Sequence, residues 1–145
     1  MPTSQKKTRL DFPELWETVA DKAYNNFEAL SSDERALFTV GYLIDSTNNG
    51  GILAHYCNIG ANYNAETLAD LEYLGFTDVA DMLREINKLF PGGKAPTDIN
   101  ERNEVMETWE YSENEDLFED LDQDFYRREE AMEDALVKHI EGKLV

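Results

Sequence analysis

Apolar residues recur at helical spacing along most of the chain. Phe12, Leu15, Trp16, Val19, Ala23 and Phe27 share one face of a 3.6-residue period, and Asp11 with Pro13 marks its start by a capping side chain and a pre-set φ. The pattern resumes after Ser31, which forms a capping box with Glu34. Leu37, Phe38, Val40, Leu43 and Ile44 then predict a second, more buried helix running to about Ser46. Asn48, Asn49, Gly50 and Gly51 tolerate positive φ and are expected to form a tight structural turn, with a short helix over Ile52–Cys57. Asn64 is expected to cap a helix from Ala65 to Leu74 that stops at Gly75. Thr77 is expected to cap the next, from Asp78 to Phe90, with Val79, Met82, Leu83, Ile86 and Phe90 inward and Pro91-Gly92-Gly93 as terminator.

Beyond Asp98 the stripe continues through Ile99, Arg102, Val105, Met106 and Trp109, but acids occupy most of the remaining positions. A last helical region carries Leu117, Phe118, Leu121, Phe125, Met132, Leu136, His139 and Ile140. A break is expected near Asp120 to Gln123, where acids and an amide weaken the propensity. No segment shows a convincing period of two, and there is no internal repeat. The expected fold is all-α: an irregular array of about seven helices in a single acidic domain over residues 11–145, after a flexible polar tail over residues 1–10.

Composition supports folding. With 41% hydrophobic and 11% aromatic residues, the 145-residue chain is too apolar to stay disordered, and it is of one-domain size. The formal charge of -18 repels phosphate backbones and anionic membranes and attracts cationic partners, so direct nucleic-acid or membrane binding is not expected. Lys6, Lys7 and Arg9 have no apolar run behind them, and no stretch approaches the ~20 residues that cross a bilayer. A cytoplasmic location is expected. Cys57 is the sole cysteine, which excludes an intramolecular disulfide, and it reads as a buried thiol in a reducing compartment.

The charge is concentrated. Between Asp98 and Asp134, sixteen acids face only Arg102, Arg127 and Arg128, a local charge of -13. Like charges at i,i+4 cost a few tenths of a kcal/mol per pair, and a merely solvated face more often mixes in lysines. The candidate partner-binding residues are Glu101, Glu104, Glu107, Glu110, Glu113, Glu115, Asp116, Glu119, Asp120, Asp122, Asp124, Glu129, Glu130, Glu133 and Asp134. Carboxylates three or four residues apart on a helix lie about 4.5 to 6 Å apart along its axis, against ~3.4 Å per phosphate on each strand of B-DNA. The series from Glu101 to Glu113 keeps a spacing of three and winds slowly around a helix. Two such helices side by side would approximate a phosphate ridge, offering acceptors to the Arg and Lys of a DNA-binding protein.

Other chemistry finds little support. Asp120, Asp122 and Asp124 match positions one, three and five of a calcium loop, but Phe125 and Ala131 stand where Gly and Glu are needed. His55 and Cys57 are two candidate ligands without a third. Only His55 and His139 are available to serve a nucleophile, and Pro91-Gly92-Gly93-Lys94 lacks the spacing of a phosphate loop. No catalytic residue, metal or cofactor is expected.

The run Asn48-Asn49-Gly50-Gly51, Tyr56 and Asn58 in the segment after it, Ala69 to Gly75, Leu89 to Gly93, Arg102, and Leu121-Asp122-Gln123-Asp124-Phe125-Tyr126 resemble a bacterial all-helical family that includes a DNA mimic protein. The likeness covers roughly residues 33–140, and it departs from the family pattern at Ile52, where an aromatic is typical. It implies an acidic helical fold able to form a homodimer, with a surface similar in shape and charge to duplex DNA that binds a DNA-binding protein such as a transcriptional repressor. Asn48 to Gly51 carry over as a structural turn. The expected function is therefore non-enzymatic: a DNA mimic that occupies the DNA face of a basic repressor or nucleoid protein. The alternative is an immunity or antitoxin-like inhibitor of a basic nuclease toxin. A third reading is an enzyme with Asn49, His55 and Tyr56 around a pocket.

Overall fold

In the computed structural model, which describes residues 7–145, four of the other six α-helices pack on α2 (Ser32–Gly50). Its start is local chemistry: Ser31 Oγ accepts from the Glu34 N–H, and the Glu34 carboxylate accepts from the Ser31 N–H, satisfying two of the orphan donors of a helix N-terminus. From Ala36 to Thr47 only Tyr42 and Asp45 escape burial, as expected of a helix covered on every side.

Four helices pack on it: α1 (Pro13–Asn26), α3 (Ile52–Tyr56), α4 (Asn64–Tyr73) and α7 (Tyr111–His139). A fifth, α5 (Thr77–Asn87), lies against α4 and α7, whereas α6 (Ile99–Met106) sits on the 3-10 turn Ile59–Tyr63. Among the described residues there are seven α-helices and no strand, an all-α fold. No helix among them is long and apolar enough to cross a membrane.

Several local expectations are corrected. Asn48, Asn49 and Gly50 are not a turn but the last turn of α2, and the reversal falls on Gly51 alone, at φ 85° and ψ 175°. Tertiary bonds extend the helix: Asn48 Nδ2 donates to Glu129, and the Tyr126 hydroxyl to the Thr47 carbonyl, both from α7. Asp11, Asn64 and Thr77 do not cap α1, α4 and α5; Phe12, Tyr63 and Phe76 hold those positions without a capping side-chain bond. Asp11 instead joins a 3-10 turn, and Asn64 turns inward. The break near Asp120 does not occur: α7 runs on because Phe118, Leu121 and Phe125 continue its buried face. Cys57 is exposed.

The expected tail lies outside the described residues as far as residue 6. Beyond it, Thr8 caps the 3-10 turn Arg9–Asp11, and Arg9 is buried across α2. Its guanidinium stacks on Trp16 at 4.5 Å and pairs with Asp45 and, at 3.6 Å, with Glu133. Gly41 makes room, since a Cβ there would stand 2.8 Å from both Arg9 Nε and Trp16.

Gly51 carries a heavier constraint. Its dihedrals belong to a region essentially restricted to glycine, and a Cβ would stand 2.8 Å from Asp122 Oδ2. Asp122 is in place because its Oδ1 accepts from the Ile52 N–H at 2.6 Å, tying the start of α3 to α7. Gly51→Ala is expected to cost about 2 kcal/mol, which for this chain length is a fall in Tm of roughly 7 °C by calorimetry. An unchanged Tm would show that this junction tolerates a side chain.

Candidate acidic interaction face

Helix α6 is short and rich in poor helix formers, and two features hold it. Asp98 Oδ1 accepts from the N–H groups of Asn100 and Glu101 at 2.7 and 3.2 Å, a carboxylate cap at the positive end of the helix. On the inner side, Arg102 is fully buried and donates to the carbonyls of Tyr56, Asn58, Pro96 and Thr97 and to Asn62 Oδ1, at 2.8 to 3.2 Å.

With α6 pinned, its acids face outward. Glu101 and Glu104 on α6, Glu107 and Glu110 in the connection, and Glu113, Glu115, Asp116, Glu119 and Asp120 on α7 are all exposed. Among the described residues no ion pair reaches any of the nine. Arg102 is the only basic residue in the same stretch, and it is buried.

The arrangement differs from the one expected. The series of three from Glu101 to Glu113 does not wind around one helix but is split over α6, the connection and α7, and α6 packs chiefly on the 59–63 turn instead of along α7. The first turns of α7 instead carry two files flanking its buried stripe: Glu113, Asp116 and Asp120 on one side, Glu115, Glu119 and Asp122 on the other. Within each file the rise between successive carboxylates is about 4.5 to 6 Å.

The remaining candidates have other engagements. Asp122 holds α3, Glu129 accepts from Asn48, and Asp124 pairs with Arg127 at 2.7 Å. Glu133 accepts from the Arg9 N–H at 3.2 Å; burial raises its pKa, with Arg9 pulling the other way. Glu130 and Asp134 line a shallow cleft with Lys7, Asp45 and Glu133. The fifteen acids therefore divide into nine outward ones, ending at Asp120, that no ion pair reaches, and six from Asp122 onward that are bonded to or set beside other side chains.

Asn49, His55 and Tyr56 are not brought to a common cleft. Asn49 is exposed at the end of α2, whereas His55 and Tyr56 are fully buried. The Tyr56 hydroxyl donates to Asn87 Oδ1 at 2.7 Å, and its ring stacks on Phe90. His55 Nε2 donates to Asn64 Oδ1 at 3.4 Å, leaving Nδ1 without a partner. Burial lowers the His55 pKa to about 4, against the Asn64 bond, with Arg102 adding to the fall. The folded protein thus keeps this ring neutral while the unfolded chain takes up a proton below pH ~6.5, so this group's contribution to stability falls as pH drops from about 6.5 to about 4. In an NMR titration the His55 ring is expected to stay neutral down to about pH 5. A midpoint near 6.5 would mean that the ring is hydrated.

Asp120, Asp122 and Asp124 lie on a continuous helix, where residues two apart point to different sides. Among the described residues no group of three or more His, Cys, Asp and Glu is placed to hold a metal ion. Arg9 and Arg102 carry more of the fold than the sequence pattern suggests. Arg102 left a signal, an arginine in the stripe between Ile99 and Met106; Arg9 left none beyond a small residue at position 41.

A family model described as DMP19-like protein matches residues 28–143. Neither a curated protein nor a solved structure matches the chain significantly.

Proposed function

The chain belongs to the DMP19-like protein family, DMP19 being a DNA mimic protein family, and from that premise we propose that it competes with DNA for the DNA-binding surface of a basic transcriptional repressor or nucleoid protein. The observation that carries this reading is the run of nine outward acids from Glu101 to Asp120 with no ion pair among the described residues. Carboxylates outside any internal ion pair are available to a cationic surface, and files a few ångströms apart offer acceptors at a pitch that phosphate-reading Arg and Lys side chains meet. The role requires no catalytic group.

Capture from lysate on the immobilised protein, at low and raised salt and with or without duplex DNA, tests the proposal. The expected result is retention of a basic DNA-binding protein that salt or DNA releases, because complementary surface charges are screened within about 8 Å at physiological ionic strength. Retention of nothing basic at any salt overturns it. Retention of a nuclease whose cleavage is blocked would favour the inhibitor reading.

A further inference from the structure

A cavity of about 540 Å³ opens between α4, α5 and the Gly93–Thr97 segment that leads into α6. Ala61, Ala65, Leu68 and Ala95 form apolar walls, and Asn64 and Asn87 reach it from α4 and α5. The volume falls within the range of preformed small-molecule sites, and apolar walls with a few fixed polar groups are their usual composition.

The Tyr56 hydroxyl divides its one proton between the Leu83 carbonyl at 3.0 Å and the Asn87 amide, which Asn64 also orients. Asn87 is nearly buried, and its Oδ1 accepts from the Tyr56 hydroxyl at 2.7 Å and from Asn64 Nδ2 at 2.9 Å. Its own Nδ2 donates to no protein group. Nδ2 keeps access to the cavity's solvent and is free to donate to an acceptor that takes the place of water there.

Charge points the same way. On a chain of net charge -18, this cavity is lined by Arg84, Lys88 and Lys94 against the single acid Glu66. Arg84 and Lys88 are shared with Glu72, Asp81 and Glu85, but Lys94 has no ion pair among the described residues. Behind the wall, Arg102 donates at 2.8 Å to Asn62, another lining side chain, and every one of its acceptors is a carbonyl or amide oxygen. No carboxylate hydrogen-bonds the buried guanidinium, Asp98 acting on it only through space, and an anion in the adjoining cavity would add to that stabilisation.

We propose that this cavity binds a small organic carboxylate, with the carboxylate at the Asn87 amide and the Lys94 ammonium and the apolar body against Ala61, Ala65 and Leu68. An inorganic anion would match the donors but leave the apolar walls uncovered.

Titration of the ¹⁵N-labelled full chain with 2-naphthoate, followed through backbone and side-chain amide resonances, tests this. Saturable shifts are expected at the side-chain amides of Asn64 and Asn87 and at Lys94. The neutral 2-naphthamide should bind at least about five-fold more weakly, and the combined surface variant K88Q/K94Q should weaken 2-naphthoate by roughly five-fold with its remaining spectrum unchanged. Absence of saturation, shifts confined to other residues, or equal binding of the amide would overturn the proposal. Displacement of 2-naphthoate by inorganic phosphate at equal concentration would overturn the choice of an organic acid.

Discussion

Arg102→Ala is expected to destabilise the protein by about 4 kcal/mol, because the truncation strands the buried Tyr56 carbonyl, removes four further bonds to part-buried oxygens and empties a fully buried side-chain volume. At this chain length that corresponds to a Tm lower by roughly 13 °C. The arginine joins three segments: the end of α3 through Tyr56 and Asn58, the 59–63 turn through Asn62, and the approach to α6 through Pro96 and Thr97. Removing the buried cation relieves its own desolvation, which opposes the loss. The guanidinium is already solvated by its five acceptors, however, so the relief is the smaller effect. Lysine, a point donor on a flexible stem, cannot span these acceptors as a planar fork does, and Arg102→Lys should recover little of the loss. A shift below about 3 °C for the alanine variant would show that α6 is held by something else.

The second large effect concerns binding. Replacing Glu104, Glu107 and Glu119 by Gln and Asp120 by Asn should weaken the retained partner by about a hundredfold, ~2.7 kcal/mol, if each exposed charge contributes roughly 0.7 kcal/mol. Thermal unfolding at low salt should stay unchanged or improve, because Glu119 and Asp120 stand four residues after Glu115 and Asp116 and their removal relieves like-charge repulsion along α7. Changing Glu14, Glu17, Asp21 and Glu28, all exposed at the opposite end of the chain, removes the same net charge elsewhere. This second variant is expected to bind within a few-fold of the parent. Equal losses in both would assign the effect to overall charge instead of the face carried by α6 and α7.

How much of this was legible in the sequence depends on how local each cause is. The Ser31–Glu34 capping box and the apolar face of α2 are local, and the structure carries both. The end of α2 is not. Asn48 and Gly50 weaken a helix by fractions of a kcal/mol, and contacts from α7 that no nearby residue announces outweigh that preference. The same competition decides the continuity of α7: burying Leu121 and Phe125 is worth about 1.5 to 3 kcal/mol each, more than the low propensity of Asp120, Asp122 and Gln123 costs. Asn64 has the right residue type for a cap, but a buried bond to Asn87 claims its side chain. The density of acids could be counted from the chain. That Asp122 and Glu133 are drawn inward, by the α3 N-terminus and by Arg9, depends on partners 70 and 124 residues away.

Under the proposed function, DNA and this protein compete for one surface of the partner. The most direct measurement uses the retained partner bound to a fluorescently labelled duplex, with anisotropy followed as the protein is added. The duplex is expected to be released stoichiometrically, with no ternary complex, and the Glu104, Glu107, Glu119 and Asp120 variant should require about a hundredfold more protein. Formation of a stable ternary complex, or release at the same concentration by that variant, would contradict it.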